Sequence, residues 1–231
     1  MEKFNAAFVG GGVCSVIGLG AYSVMKQKYK FTSFSGASIG SIVAISLAAG
    51  KTPEDIRDFL ANNVEPFCVP ILGRFRIKQR VNEFLGNMLY RDLPNECIVS
   101  ITPLRKNFSK LITRKDSENL TVGEVAALSS ALPILFLPGF VKLKRKYSIV
   151  VDGGILFNPP LNEKTKNFLF SFKRHNRPPK YYWGKRKLAQ EKKADFLLIA
   201  PTTFGTRGKR QDVLTVYDDG KTVAQTITFF A

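Results

Sequence analysis

Ser38 is flanked by glycines in Gly36-Ala37-Ser38-Ile39-Gly40, where an apolar strand-like run, Phe31 to Ser35, passes into a helix-like run, Ser41 to Ala49. A serine hydroxyl becomes a usable nucleophile when a tight strand-to-helix turn exposes it, and the glycines supply room and unusual dihedrals. A three-position pattern of this kind also arises by chance, so it needs company. Gly10-Gly11-Gly12 follows the apolar run Phe4 to Val9 and precedes a helix-like stretch from Ser15 to Tyr29. Successive backbone N–H groups at such a turn, from Gly10 to Val13, can converge on an oxyanion, and the helix N-terminus adds positive potential. Asp152-Gly153-Gly154 ends the run Tyr147 to Val151. A carboxylate at a strand end is rigidly mounted, which suits a proton acceptor. A nucleophile, an oxyanion turn and a base together describe acyl transfer.

The only histidine is His175, so a Ser-His-Asp triad has one candidate. Its surroundings, Ser171-Phe172-Lys173-Arg174-His175-Asn176-Arg177-Pro178-Pro179-Lys180, read as an exposed basic loop, which favours a Ser38–Asp152 dyad. An esterase using His175 is the alternative. A dinucleotide-binding reading of the first turn fails on two counts: Gly10-x-Gly12-x-x-Ser15 lacks the third glycine, and Lys26, Lys28 and Lys30 lie where an acidic residue is needed.

The elements that must position these groups alternate. Strand-like runs at Phe4–Val9, Phe31–Ser35, Cys97–Thr102, Phe140–Leu143, Ser148–Val151 and Phe196–Ala200 alternate with helical stretches, as in a layered α/β sheet. Thr52-Pro53-Glu54-Asp55 caps a helix over Ile56 to Val64, and Thr121-Val122-Gly123-Glu124 is a capping box before Val125 to Ala131. Helices are also predicted over Ile77 to Tyr90 and Asp212 to Phe230, with Asp218-Asp219-Gly220 a potential break in the second.

In its motifs the chain resembles the patatin-like phospholipases. The resemblance rests on the glycine turn, the G-x-S-x-G elbow and the D-G-G motif in that order. It also rests on Ala127-Leu128-Ser129-Ser130-Ala131-Leu132-Pro133 and on Asp152-Gly153-Gly154-Ile155-Leu156-Phe157-Asn158-Pro159-Pro160. It spans residues 4 to 160 and is loose beyond Leu161. It implies a three-layer α/β/α fold with a mainly parallel central sheet, Ser38 as nucleophile and Asp152 as proton acceptor. It further implies an oxyanion hole at Gly10, Gly11, Gly12 and Val13, and a lipid ester as substrate, with no cofactor or metal. Cys14 and Ser15 stand where the family usually has Arg-Gly. A noncatalytic lipid- or host-interaction module on the same scaffold is the rival reading from a different class.

At 231 residues with 45% hydrophobic content, the chain suits a single domain with a substantial core. Cys14, Cys68 and Cys97 are odd in number and widely spaced, so they suggest neither a disulfide framework nor a zinc site, and a reducing compartment fits. Ala6 to Val24 is apolar enough to imitate a leader, but its glycines and the weak charge of Met1-Glu2-Lys3 argue against one. The expectation is a cytoplasmic protein peripheral at membranes, with unconventional secretion left open. The net charge is +17, and residues 161–194 hold eleven Lys or Arg against two Glu. This stretch reads as a basic insert that attracts anionic lipid, with Tyr181-Tyr182-Trp183 suited to an interface; nucleic acid is the weaker partner reading.

Overall fold

The computed structural model describes residues 2–117, 119–143, 146–156, 158–174, 193–202 and 209–226. The chain forms a mainly parallel six-stranded sheet flanked by helices. Its strands are β1 (Lys3–Phe8), β2 (Lys30–Gly36), β3 (Glu96–Ser100), β5 (Leu111–Thr113), β8 (Lys166–Arg174) and β9 (Phe196–Thr202), in the order β5-β3-β2-β1-β8-β9. All neighbours are parallel except β5, which runs antiparallel to β3 at the edge. The chain moves outward from β1 to β2 and β3 on one side, and β8 and β9 fill the other. The topological switch therefore falls at β1, and in open α/β sheets a crevice opens at the strand C-termini there.

The helices are α1 (Val16–Met25), α2 (Ile39–Ala48), α3 (Pro53–Phe67), α4 (Gly73–Phe84), α5 (Val122–Ser129) and α6 (Arg210–Thr226). Thr52 and Thr121 both form complete capping boxes, with Asp55 and Glu124 respectively, so α3 and α5 start where the sequence signals place them. Helix α6 runs unbroken through Asp218-Asp219-Gly220, as the helix expected there does if its potential break is not used. The reason is packing: a Cβ on Gly220 would strike the Ile17 carbonyl, and one on Gly20 would strike Tyr217, so α1 and α6 cross backbone to backbone. The glycines that weaken α1 as a membrane segment are what let it dock. No helix among the described residues is long and apolar enough to cross a membrane.

Two sequence expectations are corrected. Lys166–Arg174, expected to begin a basic insert, is a strand paired between β1 and β9. Its buried Phe168, Phe170 and Phe172 alternate along it and supply the apolar face that the flanking lysines obscure. Residues 175–192, with His175 and Tyr181-Tyr182-Trp183, lie outside the described residues. Second, Phe140–Leu143 and Ser148–Val151 do not join the main sheet. They form an antiparallel hairpin, β6 (Gly139–Leu143) and β7 (Lys146–Val151), with the short β4 (Thr102–Pro103) beside β7.

Most phenylalanines are structural. Phe4, Phe8, Phe168 and Phe170 from the central strands meet Tyr22 of α1 and Phe31 and Phe34 of β2, with ring centroids 5.1–6.3 Å apart in the pairs that touch. A register shift between Phe4 and Asn5 lets Phe31 and Phe34, three residues apart, turn to the same side. Asn5, Ser33, Ser35 and Asn167 instead form a buried polar network that reaches Pro160 and Asn162. That network ties the 158–165 loop to the sheet beneath the site.

Candidate active site

Strand β2 ends at Gly36 and α2 begins at Ile39, which leaves Ser38 at the apex with φ 53° and ψ −130°. This backbone conformation is costly for a side-chain-bearing residue, by about 1–3 kcal/mol, and must be held by its surroundings. A Cβ on Gly36 would collide with the Gly40 backbone, and one on Gly40 would come within 2.5 Å of the Phe8 carbonyl oxygen. The glycines thus allow β1, β2 and α2 to close on the turn. The Ser38 N–H donates to Ser129 Oγ at 3.0 Å, and its carbonyl accepts from the Ser41 N–H at 2.8 Å. Although Ser38 sits at the N-cap of α2, its hydroxyl caps nothing and stays free for chemistry.

The hydroxyl faces Asp152, within hydrogen-bonding reach of its carboxylate. Asp152 directly follows β7 and is 2% exposed. Its N–H donates to the Ala131 carbonyl at 2.9 Å and its carbonyl accepts from Thr102 Oγ1 at 2.8 Å, so the main chain is clamped from both sides. Its Oδ1 accepts the Gly154 N–H at 2.8 Å. Gly153 is obligatory for a different reason: a Cβ there would overlap the Ser100 carbonyl of β3. Burial raises the carboxyl to about 6, against the opposing pull of hydrogen bonds from Ser38 and the Gly154 N–H. At neutral pH it is a carboxylate, yet far more basic than a surface aspartate.

The glycine turn lies at the C-terminal end of β1. Gly11 and Gly12 have φ 158° and 65°, and a short 3-10 helix, Gly12–Ser15, follows. The first N–H groups of a helix have no upstream carbonyl to receive them. Gly11, Gly12 and Val13 are those residues, and both glycines are partly exposed. Gly10 is different, and this corrects the sequence expectation: its N–H already donates to Asn158 Oδ1 at 2.5 Å, while Asn158 Nδ2 donates back to the Gly10 carbonyl at 3.2 Å. Gly10 anchors the turn and is not one of its open donors. Cys14 and Ser15 are both buried, which leaves Cys14 unsuited as a rival nucleophile.

Asn158 is the residue whose job sequence reasoning did not read, although its place six residues after Asp152 belonged to the quoted motif. Ser129 is a second such residue, within Ala127-Leu128-Ser129-Ser130. Against the glycine turn lies an apolar cavity of about 50 Å³, lined by Gly12, Val13, Ile39, Leu60, Val64 and Phe67 among others. Its wall thus includes the glycine turn and the residue after Ser38. Among the described residues no cluster of three or more His, Cys, Asp or Glu is gathered to hold a metal.

A family model described as patatin-like phospholipase matches residues 7–163, which include every one of these groups. The chain belongs to that family. Among curated proteins, this patatin-like chain is 25% identical over 189 residues to the uncharacterised protein YqhO of Bacillus subtilis (strain 168), covering 68% of this chain and 65% of that one. It is 26% identical over 153 residues to the cGAMP-activated phospholipase of Escherichia coli (strain TW11681), covering 56% of this chain and 42% of the relative. The chain therefore spans less than two thirds of either relative. Among solved structures, VipD from Legionella pneumophila superposes with a TM-score of 0.61 at 14% identity, covering 97% of this chain and 66% of VipD. The type III effector ExoU of Pseudomonas aeruginosa gives a TM-score of 0.52 at 11% identity, covering 95% of this chain and 52% of ExoU. At those identities the superpositions speak for the patatin-like fold alone.

Proposed function

We propose that this patatin-like domain is a lipid acyl hydrolase that cleaves carboxylic esters of membrane lipids through a Ser38–Asp152 dyad. The observation that carries the reading is that the Ser38 hydroxyl acts on the buried carboxylate of Asp152, whose affinity for a proton burial raises. Asp152 accepts the hydroxyl proton as Ser38 Oγ attacks the ester carbonyl carbon. The resulting oxyanion is received by the open N–H groups of Gly11, Gly12 and Val13, each worth about 2.7–4 kcal/mol in comparable acyl-transfer sites. Collapse expels the alcohol, which takes the proton back from Asp152, and leaves an acyl-Ser38 ester. Water then attacks with Asp152 again as base, releasing the fatty acid and free Ser38. The apolar cavity walled by the glycine turn and Ile39 suits the first carbons of an acyl chain. The similarity to a phospholipase of Escherichia coli supports a lipid as the source of that chain.

The test compares wild type with Ser38→Ala on a mixed lipid extract, with products read by mass spectrometry and the serine probed by a fluorophosphonate. The expected result is free fatty acid release and labelling with wild type only. Intact, folded wild type that neither labels nor releases fatty acid would return the domain to a noncatalytic role. A His175→Ala variant that keeps its activity excludes the triad.

A further inference from the structure

Two loops bordering the site carry apolar side chains turned to solvent. One leaves α3 past Phe67 and Cys68, which line the cavity, runs into the first turn of α4 and presents Ile71, Leu72 and Phe75, 58%, 50% and 49% exposed. The other leaves α5 just after Ser129, the partner of Ser38, and presents Ile134, fully exposed, and Leu137 at 48%. The loops are stitched together. The Ile71 N–H donates to the Leu135 carbonyl at 2.7 Å, Ile71 pairs with Phe136 in an isolated parallel bridge, and the Phe136 ring covers Gly73. The five exposed side chains thus belong to one rim beside the catalytic groups.

Two independent features mark this rim as more than ordinary surface. Ile71 and Ile134 have φ 66° and 75°, a conformation that β-branched residues rarely adopt and that glycine would take without cost. Neither isoleucine offsets that cost by burial. The charge is also one-sided: there is no Asp or Glu from Val69 to Asn82 or from Val125 to Leu143. Arg74 and Arg76 flank Phe75, with the Arg74 guanidinium 4.8 Å from its ring. Lys78 and Arg80 follow on α4, engaged with Glu124 and Glu83.

We propose that this rim docks the protein on an anionic lipid bilayer. Ile71, Leu72, Phe75, Ile134 and Leu137 enter the interface, and Arg74 and Arg76 meet lipid phosphates. Apolar side chains ringed by cations gain both from burial among acyl chains and from the negative surface potential of such a membrane. The inference rests on the lipid hydrolase reading, because docking here sets the side of the molecule that carries Phe67 and Cys68 of the cavity wall against the layer that holds the substrate. It assigns the contact to the rim and not to Tyr181-Tyr182-Trp183.

The experiment is flotation of the full chain with vesicles of phosphatidylcholine alone or mixed with phosphatidylglycerol. Wild type is expected to bind the mixed vesicles more tightly. Phe75→Glu combined with Ile134→Glu is expected to weaken that binding about tenfold or more, and Arg76→Glu about fivefold. All these variants should turn over a water-soluble short-chain ester at the wild-type rate, which shows that they fold. Ser38→Ala is expected to float like wild type, so a failed hydrolase reading leaves the docking measurement intact. The proposal is overturned if the double variant binds as wild type does, if wild type binds neither vesicle, as a protein-docking rim would, or if changing Tyr181, Tyr182 and Trp183 to alanine abolishes binding by itself.

Discussion

Ser38 and Ile134 hold similarly uncommon backbone conformations, φ 53° and 75°, yet their surroundings are opposite. Around Ser38 the strain is locked by glycines too close to β1 and α2 to accept a side chain, and by hydrogen bonds from Ser38 to Ser129 and from Ser41 to Ser38. Around Ile134 the side chain is wholly in solvent, and the turn bond from Phe136 to Leu132 and the bond from Ile71 to Leu135 hold the main chain there. Strain at the elbow aims the Ser38 side chain toward Asp152, and the packed core maintains it. Strain at the rim aims an apolar side chain outward, and little in the fold itself benefits.

The largest test of that contrast is on the elbow's partner. Asp152→Asn is expected to lower kcat on a short-chain ester by about 10⁴-fold, because the amide cannot accept the Ser38 proton. The same change should make the fold more stable at neutral pH. With its pKa raised to about 6 from 3.8, folded Asp152 binds a proton that the unfolded chain has lost across that window. Stability therefore falls as pH rises from about 4 to 6, and the buried carboxylate costs about 2–3 kcal/mol above it. Denaturant unfolding should show the Asp152→Asn gain at pH 7–8 and none below pH 4. A variant no more stable than wild type at pH 8 would mean that the carboxylate is not strained by burial.

Asn158→Ala comes next. It frees the Gly10 end of the oxyanion turn, and kcat should fall about 10²-fold with little change in KM, since the turn acts on the transition state. A rise in KM with unchanged kcat would assign Asn158 to substrate binding instead. Smaller again is the pH effect on wild type: kcat/KM should drop about tenfold per pH unit below 6 as Asp152 protonates, and be level above it. A profile flat down to pH 5 would exclude Asp152 as the base. The smallest effect belongs to the rim. Ile134→Gly relieves the left-handed conformation and should raise stability by up to about 1 kcal/mol, or Tm by about 2–4 °C, while weakening vesicle binding. If stability drops, Ile134 is packed in solution and the contrast with Ser38 fails.

Much of this site was legible before the fold was known, and the parts that were not have identifiable reasons. The elbow, the glycine turn and the D-G-G motif are each local, since residue type at a strand end dictates the turn. Strand β8 was obscured because Lys166, Lys173 and Arg174 frame its alternating phenylalanines, and composition suggested a solvated insert. The hairpin β6–β7 was legible as two strands but not as a separate sheet, because pairing partners leave no mark in a single strand's pattern. The role of Asn158 was hidden because an asparagine before proline reads as turn chemistry, and its contact is with Gly10 near the other end of the motif set.

The amino-acid sequence alone determined which atoms could react: a serine hydroxyl held at a glycine-bounded turn, a carboxylate at a strand end, and a run of unhindered amides. These follow from short-range sterics, which any few consecutive residues carry with them. Tertiary structure alone decided how those atoms behave. Burial lifts the Asp152 carboxyl to about 6, Asn158 withdraws Gly10 from the open donors, and two remote loops meet in one apolar rim. Each of these depends on desolvation or pairing between segments distant in the chain, and such energies exist only once the chain has closed on itself.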